Sequence, residues 1–286
     1  MARAVERGIV LFDTANVYND GESERIVGRA LRGRRESVIV ATKVGLARAN
    51  GRPEGLSRAA IERALGASLA RLGTDYIDLY YLHAPDAATP IEDTIDAIAE
   101  QMRGGKIRHL GVSNYASWQI LEIMRLCDER GIARPLVSQV MYNVLIRQIE
   151  IEYLRFAQRY PIHTTVYNPL AGGLLAGRYR PGDEIEAGSR FDKNALYQRR
   201  YWSPRLFDQV EQVRALAEAE GMTLLDFAYA WLAEAKGVDS ILVGPATLEH
   251  LDAAISACER TISAEARAKA AEIHRTYAGT DASYAR

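Results

Sequence analysis

The sequence predicts an α/β protein, and specifically a (β/α)8 TIM barrel. Short apolar runs alternate with helical patterns along the chain, which is typical of βαβ units and a parallel sheet. Three of these runs end at polar residues, as expected if an active site lies at the carboxyl ends of barrel strands. The chain has 286 residues, of which 48% are hydrophobic and 26% are charged. Because such barrels run to about 250 residues, we expect one domain over residues 1–286.

Seven apolar runs are the predicted strands, whereas a closed barrel of this type has eight. The runs cover residues 9–12, 38–42, 77–82, 107–112, 136–139, 163–167 and 240–243. Residues 1–8 have the pattern of the last turns of a helix that ends at Gly8. We therefore expect this chain to lack the first strand and most of the first helix of the barrel, either because it starts late or because the barrel closes in another way. An absent strand would leave two unpaired sheet edges.

Helical patterns lie between and after the predicted strands, and Ser57 is a predicted cap of the first of them. They cover residues 57–72, 91–103, 117–130, 147–159, 206–220, 224–235, 248–258 and 264–278. Residues 168–204 interrupt the alternation with a long segment rich in Gly, Arg and Tyr. A loop of that length in a compact domain is usually functional, so we expect it to contribute to the site.

The charge and composition of the chain argue against several classes of protein. The net charge is −1, so no basic field would attract nucleic acid or an anionic membrane. No apolar stretch approaches the ~20 residues of a membrane-spanning helix. The two cysteines, Cys127 and Cys258, have a spacing that indicates neither a metal site nor a disulfide framework. We expect a cytoplasmic protein that holds no metal and acts on a small molecule.

Four polar residues follow the predicted strands closely. Asp13, Lys43 and His83 each stand directly after a strand, and Tyr18 lies five residues beyond Asp13. An isolated Tyr after a strand is usually a packing or surface residue, and an Asp and Lys pair is usually structural. At the same end of a parallel barrel, however, the four together favour a proton-relay set for carbonyl reduction.

Several motifs surround these residues. They are Phe12-Asp13-Thr14-Ala15-Asn16-Val17-Tyr18, Gly21-Glu22-Ser23-Glu24, Ala41-Thr42-Lys43, Asp78-Leu79-Tyr80-Tyr81-Leu82-His83, Gly111-Val112-Ser113-Asn114-Tyr115 and Gln139. In order and spacing they resemble the aldo-keto reductases over nearly the whole chain. Further segments resemble the branch of the aflatoxin B1 aldehyde reductases and succinic semialdehyde reductases: His83-Ala84-Pro85-Asp86, Met141-Tyr142-Asn143, residues 168–175 and Arg200-Tyr201-Trp202.

The resemblance implies a catalytic role for each of the four polar residues. Tyr18 would be the general acid that protonates the carbonyl oxygen as a hydride arrives from a nicotinamide. A neighbouring ammonium makes a phenol a better proton donor, and Lys43 would supply that ammonium. Asp13 would hold Lys43 charged and in place, while His83 would orient the carbonyl by donating a hydrogen bond.

The resemblance also implies the cofactor NADPH, with NADH as the alternative. Its expected contacts are Asp13, Ser113, Asn114, Gln139, Tyr167, Asn168, Pro169, Leu170, Gly172, Gly173, Gly177, Arg178, Arg190, Thr247 and His250. Ser113, Asn114 and Gln139 would hold the carboxamide of the nicotinamide. The adenosine end departs from the family pattern, since Ala246 replaces a hydroxyl residue and Ala254 replaces an Asn. The selectivity for NADPH over NADH therefore stays open from the sequence.

The substrates implied by the resemblance are small aldehydes, dicarbonyls and semialdehydes. A substrate carboxylate would favour bidentate Arg, and the expected substrate contacts are His83, Tyr197, Arg200 and Arg286. Both arginines have the alternative interpretation of solvated surface charges. A homodimer is the assembly common in the branch. The alternative function is that of a nicotinamide-binding regulatory or assembly subunit with little turnover, as in the channel β subunits of the same family.

Overall fold

The structure is a computed structural model that describes residues 1–49, 51–280 and 282. The chain divides into two compact units. The first comprises Met1–Gln139 with Pro161–His163, and the second comprises Val140–Tyr160 with Thr164–Arg286. Parallel strands alternate with helices, so the fold is α/β and of the (β/α)8 barrel class, as predicted.

The first unit contains a parallel sheet whose neighbouring strands follow the order of the chain. Its strands are β1 (Leu11–Asp13), β2 (Ile39–Val44), β5 (Ile77–Leu82), β6 (Ile107–Ser113) and the first residues of β7 (Val137–Met141). Between β2 and β5 the chain also forms a short antiparallel hairpin of β3 (Arg48–Ala49) and β4 (Arg52–Pro53). The strand β5 is buried at every residue, which is typical of a parallel strand covered on both faces.

The helices of the first unit precede and connect these strands along the chain. They are α1 (Ala2–Glu6), α2 (Glu22–Ala30), α3 (Arg58–Leu72), α4 (Ile91–Arg103) and α5 (Ser117–Glu129). The predicted cap of α3 is confirmed, because the Ser57 hydroxyl accepts a hydrogen bond from the Ala60 amide at 3.3 Å. The helix α1 agrees with the prediction that residues 1–8 are helical. The helix α2 was not predicted.

The second unit contains β9 (Ser240–Ile241) and all of β8 (His163–Tyr167) except His163, which belongs to the first unit. The two strands pair in parallel. Its helices are α6 (Tyr153–Arg159), α7 (Ala195–Tyr201), α8 (Pro204–Ala219), α9 (Leu224–Ala233), α10 (Leu248–Cys258) and α11 (Ala264–Ala278). The helix predicted over residues 147–159 is shorter than expected. Gln148–Glu150 form a separate 3-10 turn, and Glu152 at φ −146° lies outside helical geometry, so the α-helix begins only at Tyr153.

The long segment after β8 is more ordered than the sequence suggests. It contains a 3-10 stretch, Ala171–Ala176, and the short helix α7. The side chain of Asn194 caps α7 by accepting a hydrogen bond from the Tyr197 amide at 3.2 Å. Across the described ranges, no helix combines the length and apolar character needed to cross a bilayer.

The crossing of α2 and α3 predicts opposite effects for two glycines. A Cβ at Gly28 would lie 2.4 Å from the Leu72 carbonyl oxygen, so Gly28→Ala should lower the free energy of unfolding by about 1–3 kcal/mol. A Cβ at Gly66, inside α3, would meet no atom within 4 Å, so Gly66→Ala should raise it by about 0.4–1 kcal/mol. Urea unfolding of both variants measures these changes. Equal effects of the two substitutions would contradict the packing described.

Candidate active site

The carboxyl ends of three adjacent strands bring the predicted polar residues together in the first unit. Asp13 is the last residue of β1, and Lys43 is the next-to-last residue of β2. His83 follows β5 directly, and its amide donates to the Val44 carbonyl at 2.9 Å. The register pairs Asp13 with Ala41 and Lys43 with Tyr81, so each site residue lies two residues beyond the partner of the one before it. This is the arrangement that the sequence predicted for the strand ends.

A buried ion pair lies at the centre of this site. The side chain of Lys43 is 0% exposed, and its Nζ binds the Asp13 carboxylate and donates to the Thr14 carbonyl at 2.8 Å. The other oxygen of Asp13 accepts a hydrogen bond from Gln139 Nε2 at 2.9 Å. Burying two charges is costly unless each is paired and hydrogen-bonded, and here both conditions are met.

Tyr18 lies over this ion pair. Lys43 Nζ is 5.0 Å from the centre of the Tyr18 ring, and the His83 ring stands nearly perpendicular to the Tyr18 ring at 5.9 Å. Tyr18 is 40% exposed, in contrast to the buried Lys43 and His83. The four predicted residues are thus brought together, with the phenol as the member that an incoming molecule can reach.

The chain turn that carries Tyr18 has an unusual backbone. Asn19, Asp20 and Gly21 follow it with φ angles of 48°, 52° and 83°, in the left-handed region. Glycine is required at the third position, because a Cβ at Gly21 would also lie 2.7 Å from Nε of Arg71. Three successive left-handed residues need surrounding structure to hold them.

Glu24 provides part of that support from the start of α2. This fully buried carboxylate accepts hydrogen bonds from the Thr42 hydroxyl at 2.6 Å and from Arg71 Nε at 2.6 Å. Thr42 precedes Lys43 in β2, so Glu24 ties the far side of the turn to the strand that carries the lysine. The sequence showed Glu24 within a family motif but gave it no role.

His83 is buried, and its Nδ1 has no hydrogen-bond partner among the described residues. Burial, together with the charge of Lys43, lowers the pKa of His83 to about 3. The imidazole is therefore neutral at physiological pH, with one N–H donor. A neutral imidazole can donate a hydrogen bond to a carbonyl oxygen without competing with Tyr18 to transfer a proton.

Ser113, Asn114 and Gln139 form a polar group beside the four residues. Ser113 pairs with Gln139 in the register of β6 and β7, and Asn114 follows with a left-handed φ of 63°. Asn114 Nδ2 donates to the His83 carbonyl and to the Ser113 hydroxyl, each at 3.0 Å. Amide and hydroxyl groups supply both donors and acceptors, which is the set that a carboxamide requires. The donor set therefore fits the nicotinamide predicted from the sequence.

The second unit gathers the predicted residues that follow β8. Asn168, at a left-handed φ of 58°, accepts from the Tyr197 hydroxyl at 3.2 Å and donates to the Tyr201 hydroxyl at 3.3 Å. Arg190 Nη1 donates to the Tyr197 hydroxyl at 3.4 Å. A Cβ at Gly172 would lie 3.1 Å from Tyr197, so the glycine permits this packing. Asn168, Gly172, Arg190 and Tyr197 thus form one cluster.

The remaining predicted residues of this unit have varied surroundings. Pro169 is buried, and Leu170 packs on an apolar cluster that includes Ala254. Tyr167, Gly173, Gly177 and Arg200 are half-buried, whereas Arg178 is exposed. Arg178 lies at the left-handed turn of Gly177, φ 75°.

The start of α10 carries two further predicted residues, both exposed. Thr247 caps the helix by accepting from the His250 amide at 3.2 Å. Arg286, predicted to contact the substrate, lies outside the described residues. Within residues 1–49, 51–280 and 282, no group of three or more His, Cys, Asp or Glu side chains is arranged to hold a metal ion.

Comparison with known proteins agrees with this fold and site. Residues 1–275 match the Aldo/keto reductase family. Aflatoxin B1 aldehyde reductase member 2 of Homo sapiens is 36% identical over 275 residues, covering 89% of this chain and 75% of the relative. An aldo-keto reductase of Pseudocercospora fijiensis is 31% identical, covering 87% and 86%. A probable voltage-gated potassium channel subunit beta of Arabidopsis thaliana is 34% identical, covering 84% and 74%.

The chain belongs to the Aldo/keto reductase family, which confirms the resemblance inferred from its motifs. It is accordingly an oxidoreductase of the nicotinamide-dependent class, in which NADP(H) is the typical cofactor.

The buried ion pair predicts a stability effect that depends on both partners. Lys43→Met leaves Asp13 buried without its cation and should lower the free energy of unfolding by about 3–5 kcal/mol. Adding Asp13→Asn should recover part of that loss, because no unpaired charge then remains. Urea unfolding of the single and double variants gives the coupling. Additive losses would show that the two side chains do not stabilise the fold as a pair.

The lowered pKa of His83 predicts a pH effect on stability. The unfolded chain protonates His83 near its ordinary pKa of about 6.5, whereas the folded chain does not until about pH 3, so stability falls as the pH drops through that window. In His83→Gln, the slope of unfolding free energy against pH between about pH 6 and 4 should be smaller by roughly 1.4 kcal/mol per unit. Urea unfolding across this range provides the measurement. Identical slopes would mean that folded His83 is protonated.

Proposed function

We propose that the chain reduces aldehydes to alcohols with NADPH, and that Tyr18 is the general acid. The observation that carries this proposal is the buried pair of Lys43 and Asp13 beneath the exposed ring of Tyr18, next to a neutral His83. Burying an uncompensated lysine would be costly, so the pairing indicates a site built around a cation. The family and the named aldehyde reductases among its relatives support the same reaction class.

Each residue has a defined task in this reaction. The nicotinamide, when bound, supplies the hydride that reaches the carbonyl carbon. Tyr18 gives its hydroxyl proton to the carbonyl oxygen, and the Lys43 ammonium favours the phenolate left behind. His83 donates a hydrogen bond that orients the carbonyl. Asp13 balances the charge of Lys43 throughout.

The cofactor would be held by the residues inferred from the sequence. Ser113, Asn114 and Gln139 have the donors and acceptors for the carboxamide. Thr247 at the N-terminus of α10, with the guanidinium of Arg190, has the chemistry to accept the 2′-phosphate that distinguishes NADPH from NADH. The positive charge of Arg190, together with the family, is the reason for proposing NADPH.

The proposed substrates are small aldehydes, dicarbonyls and semialdehydes. Arg200, half-buried on α7, and Tyr197 are the residues offered to a substrate carboxylate. The human relative is named for the aldehyde of aflatoxin B1. Location in the cytoplasm and a homodimeric state stay predictions from the sequence.

A second candidate function is that of a nicotinamide-binding regulatory or assembly subunit. The relative from Arabidopsis named as a probable channel subunit beta favours this possibility. The two functions differ in turnover, because a regulatory subunit would bind the cofactor and reduce carbonyls very slowly or not at all.

Tyr18→Phe should remove nearly all turnover while leaving cofactor binding intact. Loss of the proton donor should lower kcat by about 10²- to 10⁴-fold, since the phenyl ring keeps the packing but has no hydroxyl. The measurement is consumption of NADPH, and separately of NADH, with succinic semialdehyde and 4-nitrobenzaldehyde, alongside fluorescence titration of the cofactor. A variant with most of the wild-type rate would exclude Tyr18 as the acid. A folded wild-type protein that binds NADPH without turnover would favour the regulatory function.

A further inference from the structure

A single carboxylate oxygen of Glu54 joins the two chain segments that carry Tyr18 and Lys43. Glu54 Oε1 accepts hydrogen bonds from Asn16 Nδ2 at 2.6 Å and from the Gly45 amide at 2.8 Å. Asn16 lies two residues before Tyr18, and Gly45 lies two residues after Lys43. The two bonds therefore fix the separation of these segments immediately beside the proposed acid and its cation.

The hairpin after β2 explains how Glu54 reaches this position. The chain turns at Gly45, which has a left-handed φ of 118°, and returns through the antiparallel strands β3 and β4. The Glu54 amide donates to the Ala47 carbonyl at 2.8 Å, and the buried Leu56 amide donates to Asp86 at 2.8 Å. The backbone is thus held on both sides of Glu54.

Asn16 depends on this contact. It is only 8% exposed, and its Oδ1 is buried without a hydrogen-bond partner among the described residues. The opposite orientation of the amide would set Oδ1 against the carboxylate, so Nδ2 is the atom that faces Glu54. Its backbone bond to Lys43, from the Asn16 amide to the lysine carbonyl, is long at 3.4 Å. The short, charge-assisted bond to Glu54 is therefore the stronger tie.

The turn that carries Tyr18 needs support on both sides. The three left-handed residues after Tyr18 cost free energy that the surroundings must offset. Glu24 anchors the turn on its far side, through Thr42 and Arg71. Glu54 holds the near side, through Asn16. Without Glu54, the near side of the turn would lose its side-chain anchor and keep the long backbone bond from the Asn16 amide to the Lys43 carbonyl.

We propose that Glu54 is a positioning residue for carbonyl reduction, holding Tyr18 at its working distance from Lys43. This inference rests on the proposed function, since it concerns the proton transfer assigned to Tyr18. Glu54 itself donates no proton and contacts no reacting atom. It acts through the hydrogen bonds to Asn16 and Gly45. Their loss would displace Tyr18 slightly, and a small displacement of a reacting group lowers the rate without abolishing binding.

The kinetic test compares Glu54→Ala, Glu54→Gln and Asn16→Ala in the full chain with 4-nitrobenzaldehyde and NADPH. Glu54→Ala should lower kcat by about ten- to a hundredfold, with a much smaller change in KM. Glu54→Gln keeps an acceptor oxygen and should rescue much of the rate. Asn16→Ala combined with Glu54→Ala should lose no more than the larger single loss, because both remove one contact. The matched control is Glu62→Ala, which removes an exposed carboxylate of α3 that pairs with Arg58. Its kcat and KM should equal those of the wild type.

A second readout, hydrogen exchange by mass spectrometry without cofactor or substrate, separates this inference from the proposed function. Amides of residues 16–21 should exchange faster in Glu54→Ala than in wild type or Glu62→Ala. Three results would each overturn the inference, given an active wild type. They are an unchanged kcat in Glu54→Ala, unchanged exchange of residues 16–21 in Glu54→Ala, and additive kcat losses in the double variant. Faster exchange in a protein that has no turnover would instead mean that the proposed function fails, while Glu54 still holds the turn.

Discussion

The buried pair of Lys43 and Asp13 is the interaction on which the site depends. An ammonium that is removed from water stabilises a fold only when a carboxylate and further hydrogen bonds compensate it. Asp13, the Thr14 carbonyl and Gln139 supply that compensation, and they come from two strands and the turn after the first. These groups meet Lys43 or each other through hydrogen bonds at the carboxyl ends of β1 and β2 and at Gln139 of β7. The charge that this chemistry needs is therefore built into the core of the first unit.

Two other carboxylates hold the exposed member of the site. Glu24 lies in α2 just after the turn that carries Tyr18 and binds Thr42 of β2. Glu54 binds Asn16, just before Tyr18, and the Gly45 amide, just after β2. The turn is strained by its left-handed residues, so its geometry follows from these anchors rather than from local preference. The neutral His83 adds a hydrogen-bond donor without a second charge near the ammonium. The site thus combines a buried, hydrogen-bonded ion pair with an accessible phenol, Tyr18.

The sequence predicted most of the strands, and the position of Asp13, Lys43 and His83 at strand ends, because these signals are local. An apolar run followed by a polar residue marks a strand end, and β5, α4, α10 and α11 have the predicted bounds. The roles of Glu24 and Glu54 could not be predicted, because each depends on partners distant in the chain. The late start of the helix at Tyr153 is a local exception, because the extended φ of −146° at Glu152 separates the 3-10 turn from the α-helix. Long-range hydrogen bonds leave no periodic trace in a sequence.

Transfer of deuterium from cofactor to product tests the proposed chemistry most directly. The purified chain would be incubated with 4-nitrobenzaldehyde and NADPH that carries deuterium at both C4 positions of the dihydronicotinamide, and the alcohol would be analysed by mass spectrometry. The proposed reaction predicts one deuterium on the alcohol carbon for each cofactor molecule oxidised, with the hydroxyl proton coming from solvent through Tyr18. Alcohol without deuterium, or no alcohol from a folded chain with NADPH bound, would contradict it.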